Sequence, residues 1–223
     1  MHDARAMPGA RIGDYVIDHE VSARHDSLVF LAHHAVLPRT ACVIVGERTL
    51  LAEACALEAV RGPGVPRVYE CGVLADRRIW IAIERIAGPT IADVGTLSAR
   101  DAAGVLREIA AILERAVAAG VAHGHLDAPV IVRGADGWSI TSWAGDGGQL
   151  RDDLHALGTI VQRALGGAQV PVRLATLLDH VKAARLSPTD VRHRATQLIE
   201  AGELDEMIVQ VDVELVDISR SLG

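Results

Sequence analysis

The sequence predicts an α+β chain in two lobes, a small strand-rich half followed by a helix-rich half. Three observations predict it. Short runs of Val, Ile and Leu separated by turn residues fill the chain from Ile12 to about Ile86. After Gly88-Pro89 the hydrophobic period changes to three and four residues. Half of the 223 residues are hydrophobic but only 3% are aromatic, so the core is packed mainly from Leu, Ile, Val and Ala.

In the first half the strand runs are Tyr15 to Ile17, Leu28 to Ala32, Ala41 to Val45, Arg67 to Tyr69 and Ile79 to Ile83. A helix from Arg48 to Val60 interrupts them, because Leu50, Leu51, Ala54, Leu57 and Val60 recur at helical spacing. Past the hinge, Ser98 is placed to cap a helix running to about Ala119, with Asp101 supporting its first turn and Gly120 stopping it. Two short β runs, Val130 to Arg133 and Trp138 to Thr141, are joined by Ala135-Asp136-Gly137. Helical periodicity returns over Asp153 to Leu165, Val172 to Ala184 and Pro188 to Ala201.

The tail follows another rule. Val209, Val211, Val213 and Leu215 alternate with Gln210, Asp212 and Glu214, which predicts a half-buried strand. A helix carrying Ile208, Val211, Leu215, Ile218 and Leu222 on one face is the rival reading. The expected organisation is an extension over residues 1–10, a first lobe over 11–88, a second over 89–201 and a C-terminal segment over 202–223.

Composition excludes several chemistries. Of the 22 basic side chains Lys182 is the only lysine, and asparagine does not occur. A P-loop lysine, a Cys-His-Asn hydrolase and an N-glycosylation site are therefore ruled out. A net charge of −7 argues against nucleic acid or an anionic membrane as the main partner. The start MHDARAMPGA has no apolar stretch of signal-peptide type, and the most apolar helix, near Ile109 to Val121, is broken by Glu114 and Arg115. No membrane span is expected, and the expected location is cytoplasmic. Cys42, Cys55 and Cys71 are expected to be reduced, buried small hydrophobes.

The order of elements resembles the bacterial Ser/Thr protein kinase fold. IGDYVIDHEVSARHDSLVFLAHH is similar to the opening hairpin that covers the nucleotide. AEACALEAVRGPGVPRVYECGVLADRRIWIAIERIAGPTIAD is similar to the αC helix, the following strands and the hinge. AHGHLDAPVIVRGADGWSITSWAGDG stands where the catalytic and metal loops belong, and DDLHALGTIVQRALGG resembles the central C-lobe helix. The resemblance implies a two-lobed protein kinase-like fold, with a β-rich N-lobe containing αC, a helical C-lobe and a much shortened activation segment.

Matched residue by residue, the same resemblance removes the chemistry. The glycine-rich positions are Ser22, Arg24 and Ser27, although the family needs residues without Cβ to approach the phosphates. The N-lobe lysine is Ile44, while the αC glutamate is kept as Glu53. In the catalytic loop the aspartate has become His125, the lysine Asp127 and the metal-binding asparagine Val130. The metal aspartate is Ser142, followed by Trp143 and Ala144. Glu53, lacking its lysine, is expected to pair with an arginine or face solvent. Asp153 matches the aspartate that holds the catalytic-loop backbone, and Arg192 the late arginine whose usual glutamate partner is absent.

Two sharper patterns carry blander explanations. His123-Gly-His125-Leu-Asp127 spells a metal-loop pattern, but Ala128 replaces the further histidine such a loop needs, so His123 reads as a packed structural residue. Asp146 reads as a turn aspartate rather than a displaced magnesium ligand. The expectation is a catalytically inactive, pseudokinase-type interaction, scaffold or regulatory module with no cofactor. Its partner would be another protein, such as an active kinase, a phosphopeptide-reading protein or an effector enzyme. Val209, Val211, Val213 and Leu215 are candidate contacts, pairing with a sheet edge of the N-lobe or of another chain, or associating with a second copy. The alternatives are a diverged nucleotide-transferring enzyme using the same cleft, and a structural subunit of a larger assembly.

Overall fold

A computed structural model describes residues 8–23, 27–143, 148–202, 204 and 208–210. The first half is a curled antiparallel sheet of β1 (Arg11–Ile12), β2 (Tyr15–Ala23), β3 (Ser27–His34), β4 (Thr40–Gly46), β5 (Val68–Val73) and β6 (Ile79–Glu84), in the order β1-β2-β3-β4-β6-β5. Helix α1 (Leu50–Ala59) lies between β4 and β5 in sequence.

Strand alternation separates two cores. On β4, Ala41, Val43 and Val45 join Tyr15, Ile17, Phe30 and Trp80 in one cluster, while Ile44 joins Leu50, Ala54 and Leu57 of α1 in the other. On β6, Ile79, Ile81 and Ile83 follow Ile44, and Trp80 and Ala82 follow Val43. The Trp80 indole needs glycines beside it. A Cβ at Gly13 would lie 2.3 Å from its ring, and one at Gly72 2.6 Å from Nε1.

The second half holds α2 (Ala99–Ala118), the hairpin β7 (Ile131–Gly134) and β8 (Gly137–Ile140), α3 (Leu150–Ala164), β9 (Gln169–Pro171), α4 (Val172–Lys182), α5 (Pro188–Glu200) and β10 (Ile208–Gln210). Ser98 caps α2 by accepting the Asp101 N–H, and Ser187 and Asp190 form a reciprocal capping box on α5. Helix α2, about 30 Å long by its 20 residues, is the central rod, buried along Ala102, Leu106, Ile109 and Leu113. No helix among the described residues is long and apolar enough to cross a membrane.

Several expectations need correction. Helix α3 starts at Leu150, so Asp153 lies inside its first turn rather than at its start. The β7–β8 turn is the pair Ala135-Asp136, with Gly137 already in β8. Cys55 and Cys71 are exposed and Cys42 is only half-buried: the inward positions beside Cys55 on α1 are taken by Ala54 and Leu57, and Cys71 lies on the edge strand β5. The described part of the tail is a strand, but it pairs with β9 of the C-lobe, Val209 opposite Val170, and not with the N-lobe sheet. The short link after α5 brings it to that run first. Val211, Val213 and Leu215 lie outside the described residues.

Two glycine-dependent contacts set the lobes together. Gly88 passes so close to β7 that a Cβ there would lie 2.0 Å from the Arg133 carbonyl. The loop after α1 docks on α2 and β8, where Arg115 donates to the carbonyls of Val60 and Pro63, and Ile140 donates its N–H to Gly64.

Candidate functional site

The described site residues expected from the sequence fall on β2, β3, β4, α1, the stretch from Ala122 to Val130 and the residues just after β8. Ser22 is exposed at the end of β2 opposite Val29, and Ser27 begins β3 opposite Gly46. Arg24, between them, lies outside the described residues, as does Asp146. Ile44 is fully buried, held between Val29 of β3 and Ile81 of β6, on the face that packs against α1. Lys182, the lone lysine, ends α4 and pairs with Asp179 at 3.3 Å.

Glu53 does not face solvent. It is 7% exposed and accepts the backbone N–H of Trp143 at 3.2 Å. Trp143 is the largest fully buried side chain of the described residues, and its Nε1–H donates to the Ala122 carbonyl at 2.8 Å. Its indole tilts against the His123 imidazole, with ring centroids 4.9 Å apart. Since a carbonyl only accepts, the His123 Nε2 carries the proton it shares with Ser142 O at 2.8 Å. His123 is thus a packed structural histidine, and Glu53, Trp143 and His123 link α1, the segment after β8 and the catalytic-loop position in one chain of contacts.

Asp153 holds the other side. Its buried carboxylate accepts the His123 N–H at 2.8 Å and the Gly124 N–H at 3.0 Å. Burial pushes its pKa up against the lowering effect of those two hydrogen bonds. Gly124, with φ +90°, and Gly148 pass backbone against backbone, so that a Cβ on Gly148 would fall 2.0 Å from the Gly124 Cα. The segment after the metal-loop position therefore lies directly on the catalytic-loop position.

The remaining candidates have structural neighbours. Asp127 is exposed and caps the 3-10 turn at Ala128–Val130 by accepting the Ala128 N–H at 2.7 Å. The Val130 carbonyl takes both the N–H and the hydroxyl of Thr141. Ser142 is buried, and His125 is exposed beside them. Among the described residues no three His, Cys, Asp or Glu side chains converge as a metal site. Arg192 on α5 has a partner that sequence reasoning missed, Glu114 of α2, at 2.7 Å.

Solved structures share this architecture over nearly the whole chain. The Mycobacterium tuberculosis PknI kinase domain is 18% identical, with a TM-score of 0.65, covering 87% of this chain and 98% of that one. A single mutant of the same domain gives 17% identity and a TM-score of 0.66, over 88% and 98%. A double mutant gives 18% and 0.67, over 88% and 99%. The fold is that of a bacterial Ser/Thr protein kinase domain. No family model matches the sequence of this kinase-like chain, and no curated protein does either. Trp143, the residue the sequence resemblance sets in the middle of the metal-loop triplet, is buried. It is held between α1 and the stretch at Ala122–His123 by the Glu53 carboxylate, the Ala122 carbonyl and the His123 ring.

Proposed function

We propose that this chain is a catalytically inactive kinase-like domain that works as a protein-interaction, scaffold or regulatory module. The observation that carries the reading is Ile44. A buried, fully packed isoleucine stands at the position that the sequence resemblance matches to the phosphate-reaching lysine. Glu53, whose partner that lysine would be, receives the Trp143 N–H instead.

The residues present do not fit a magnesium nucleotide. Charge-assisted bonds to phosphate are worth about 1.5–3 kcal/mol each, and magnesium needs oxygen ligands. Val130 offers none from its side chain, and Ser142 is a buried neutral hydroxyl. Each loss of about 1.4 kcal/mol weakens binding tenfold, so three missing groups put a micromolar nucleotide near millimolar or beyond. Gly148 also packs directly on the Gly124 backbone, so the residues leading into α3 rest on the stretch that the resemblance matches to the catalytic loop. What the fold retains is a rigid two-lobed surface, suited to holding another protein such as an active kinase, a phosphopeptide reader or an effector enzyme, in the cytoplasm.

Titration of the protein with ATP and magnesium, followed by thermal shift, tests this. No stabilisation up to about 1 mM nucleotide is expected. A stabilisation at sub-millimolar concentration would overturn the inactive reading in favour of a nucleotide-using enzyme.

A further inference from the structure

A concavity of about 950 Å3 lies where the α1–β5 loop, the hinge, α2 and the β7–β8 turn meet. None of the site residues described above lines it. Val65 and Trp138 are buried in its floor, and Ile86 is half-buried beside them.

Its two walls carry opposite charge. The N-lobe and hinge wall has Arg61, Arg67 and Arg85 against Glu84, and the C-lobe wall has Glu108 and Asp136. Most of these charges are already engaged. Arg67 meets Glu84 at 4.0 Å, Arg61 meets Glu58 at 3.8 Å, and Glu108 takes the Trp138 N–H at 2.7 Å as well as Arg107. Arg85 and Asp136 are different. Both are exposed, and neither has an ion-pair partner among the described residues.

Among the described residues, one free cation on one wall and one free anion on the other make the surface self-complementary. A two-fold axis through such a face brings Arg85 of each copy to Asp136 of the other, so both charges are satisfied in a closed pair. The shape suits this. The β7–β8 turn, Ala135-Asp136 flanked by Gly134 and Gly137 of the two strands, is narrow and carries no side chain longer than aspartate. An acidic or basic peptide would satisfy one wall and oppose the other. The net charge of −7 on each copy resists association at low salt, but at physiological ionic strength it is screened beyond about 8 Å while the close pairs are not.

We propose that this concavity is a self-association surface, with the β7–β8 turn of each copy seated in the other and Arg85 paired with Asp136 across the two-fold axis. It stands independently of whether the cleft binds nucleotide. Sedimentation velocity of the full chain over a concentration series tests it. The wild type is expected to show a monomer–dimer equilibrium. Arg85→Glu and Asp136→Arg each set like charges together twice and are expected to raise the dissociation constant by about a hundredfold. Combining them recreates both pairs with the signs exchanged, and is expected to return the constant to within about threefold of wild type. Both side chains are exposed, and unchanged circular dichroism verifies that the variants fold. A wild type that stays monomeric to about 1 mM overturns the proposal. So does a dimer indifferent to either single change, or a double variant that does not recover.

Discussion

Trp143 donates its backbone N–H to Glu53 across 3.2 Å, and in doing so joins α1 to the segment that follows β8. The resemblance to kinases assigns that glutamate to a lysine, and the position of that lysine is filled by the buried Ile44. The bond, the indole on His123 and the Nε1–H on Ala122 together fix the two lobes through one residue.

Replacing Trp143 tests that arrangement. Trp143→Ala is expected to cost about 3–5 kcal/mol, the range for emptying a large buried aromatic site. Trp143→Phe keeps most of the volume but loses the bond to the Ala122 carbonyl, and is expected to cost about 1–2 kcal/mol. Glu53→Ala is expected to cost about 1–3 kcal/mol, because the Trp143 N–H is left buried without its acceptor. Urea unfolding monitored by far-ultraviolet circular dichroism measures all three.

The contact of Gly148 with Gly124 makes a second prediction. Gly148→Ala places a methyl 2.0 Å from the Gly124 Cα, against backbone that Asp153 holds on two hydrogen bonds and that cannot step aside. The expected cost is about 1–3 kcal/mol. Gly104→Ala is the control for glycine substitution as such, since Gly104 has no positive φ and nothing lies within 4 Å of where its Cβ would stand. A Gly148→Ala loss no larger than the control would show that the segment does not rest on the catalytic loop.

What the sequence made legible follows from range. The strand alternation, the α1 face and the Ser98 and Ser187 caps are set by residues within a few positions of one another, and they were readable. Asp153 was also readable, because it matches a position of the kinase resemblance, and its carboxylate does accept the backbone N–H groups of His123 and Gly124. The bonds of Glu53 to Trp143 and of Arg192 to Glu114 span 90 and 78 residues, and no local pattern specifies them. The pairing of β10 with β9 was hidden because Gln169–Pro171 is too short a run to show alternation. Cys55 and Cys71 were misread from residue type alone, where their place beside inward-facing neighbours decides exposure.

Arg115 provides a third prediction. Its guanidinium bonds the carbonyls of Val60, Ala111 and Pro63, anchoring the loop after α1 onto α2. Arg115→Met keeps the aliphatic stem while removing those donors. The expected loss is about 2 kcal/mol, with most of the extra amide exchange appearing over residues 60–65. Native-state hydrogen exchange read by mass spectrometry checks the location as well as the size. Exchange that rises evenly over both lobes would count against a local tether.

Glu114 gives a pH-dependent prediction whose sign can be worked out. The Thr189 hydroxyl bonds one of its oxygens at 2.8 Å and Arg192 the other at 2.7 Å, and these bonds hold its carboxyl below the usual glutamate range. The folded state therefore binds this proton less readily than the unfolded chain does. The resulting stability is fully present above the unfolded value and is lost as pH falls through the lower folded value. Asp153, raised by burial, acts with the opposite sign, and the capping carboxylate Asp190 with the same sign as Glu114. Both are common to wild type and to Glu114→Gln, so the difference between the two isolates Glu114. Denaturation midpoints from pH 7 down to about pH 3 are expected to converge as pH falls. Arg192→Met should flatten the wild-type curve in the same direction, because it removes one of the two groups that keep Glu114 ionised. A difference that stays constant with pH would mean that Glu114 contributes by packing against α5 and not by its charge.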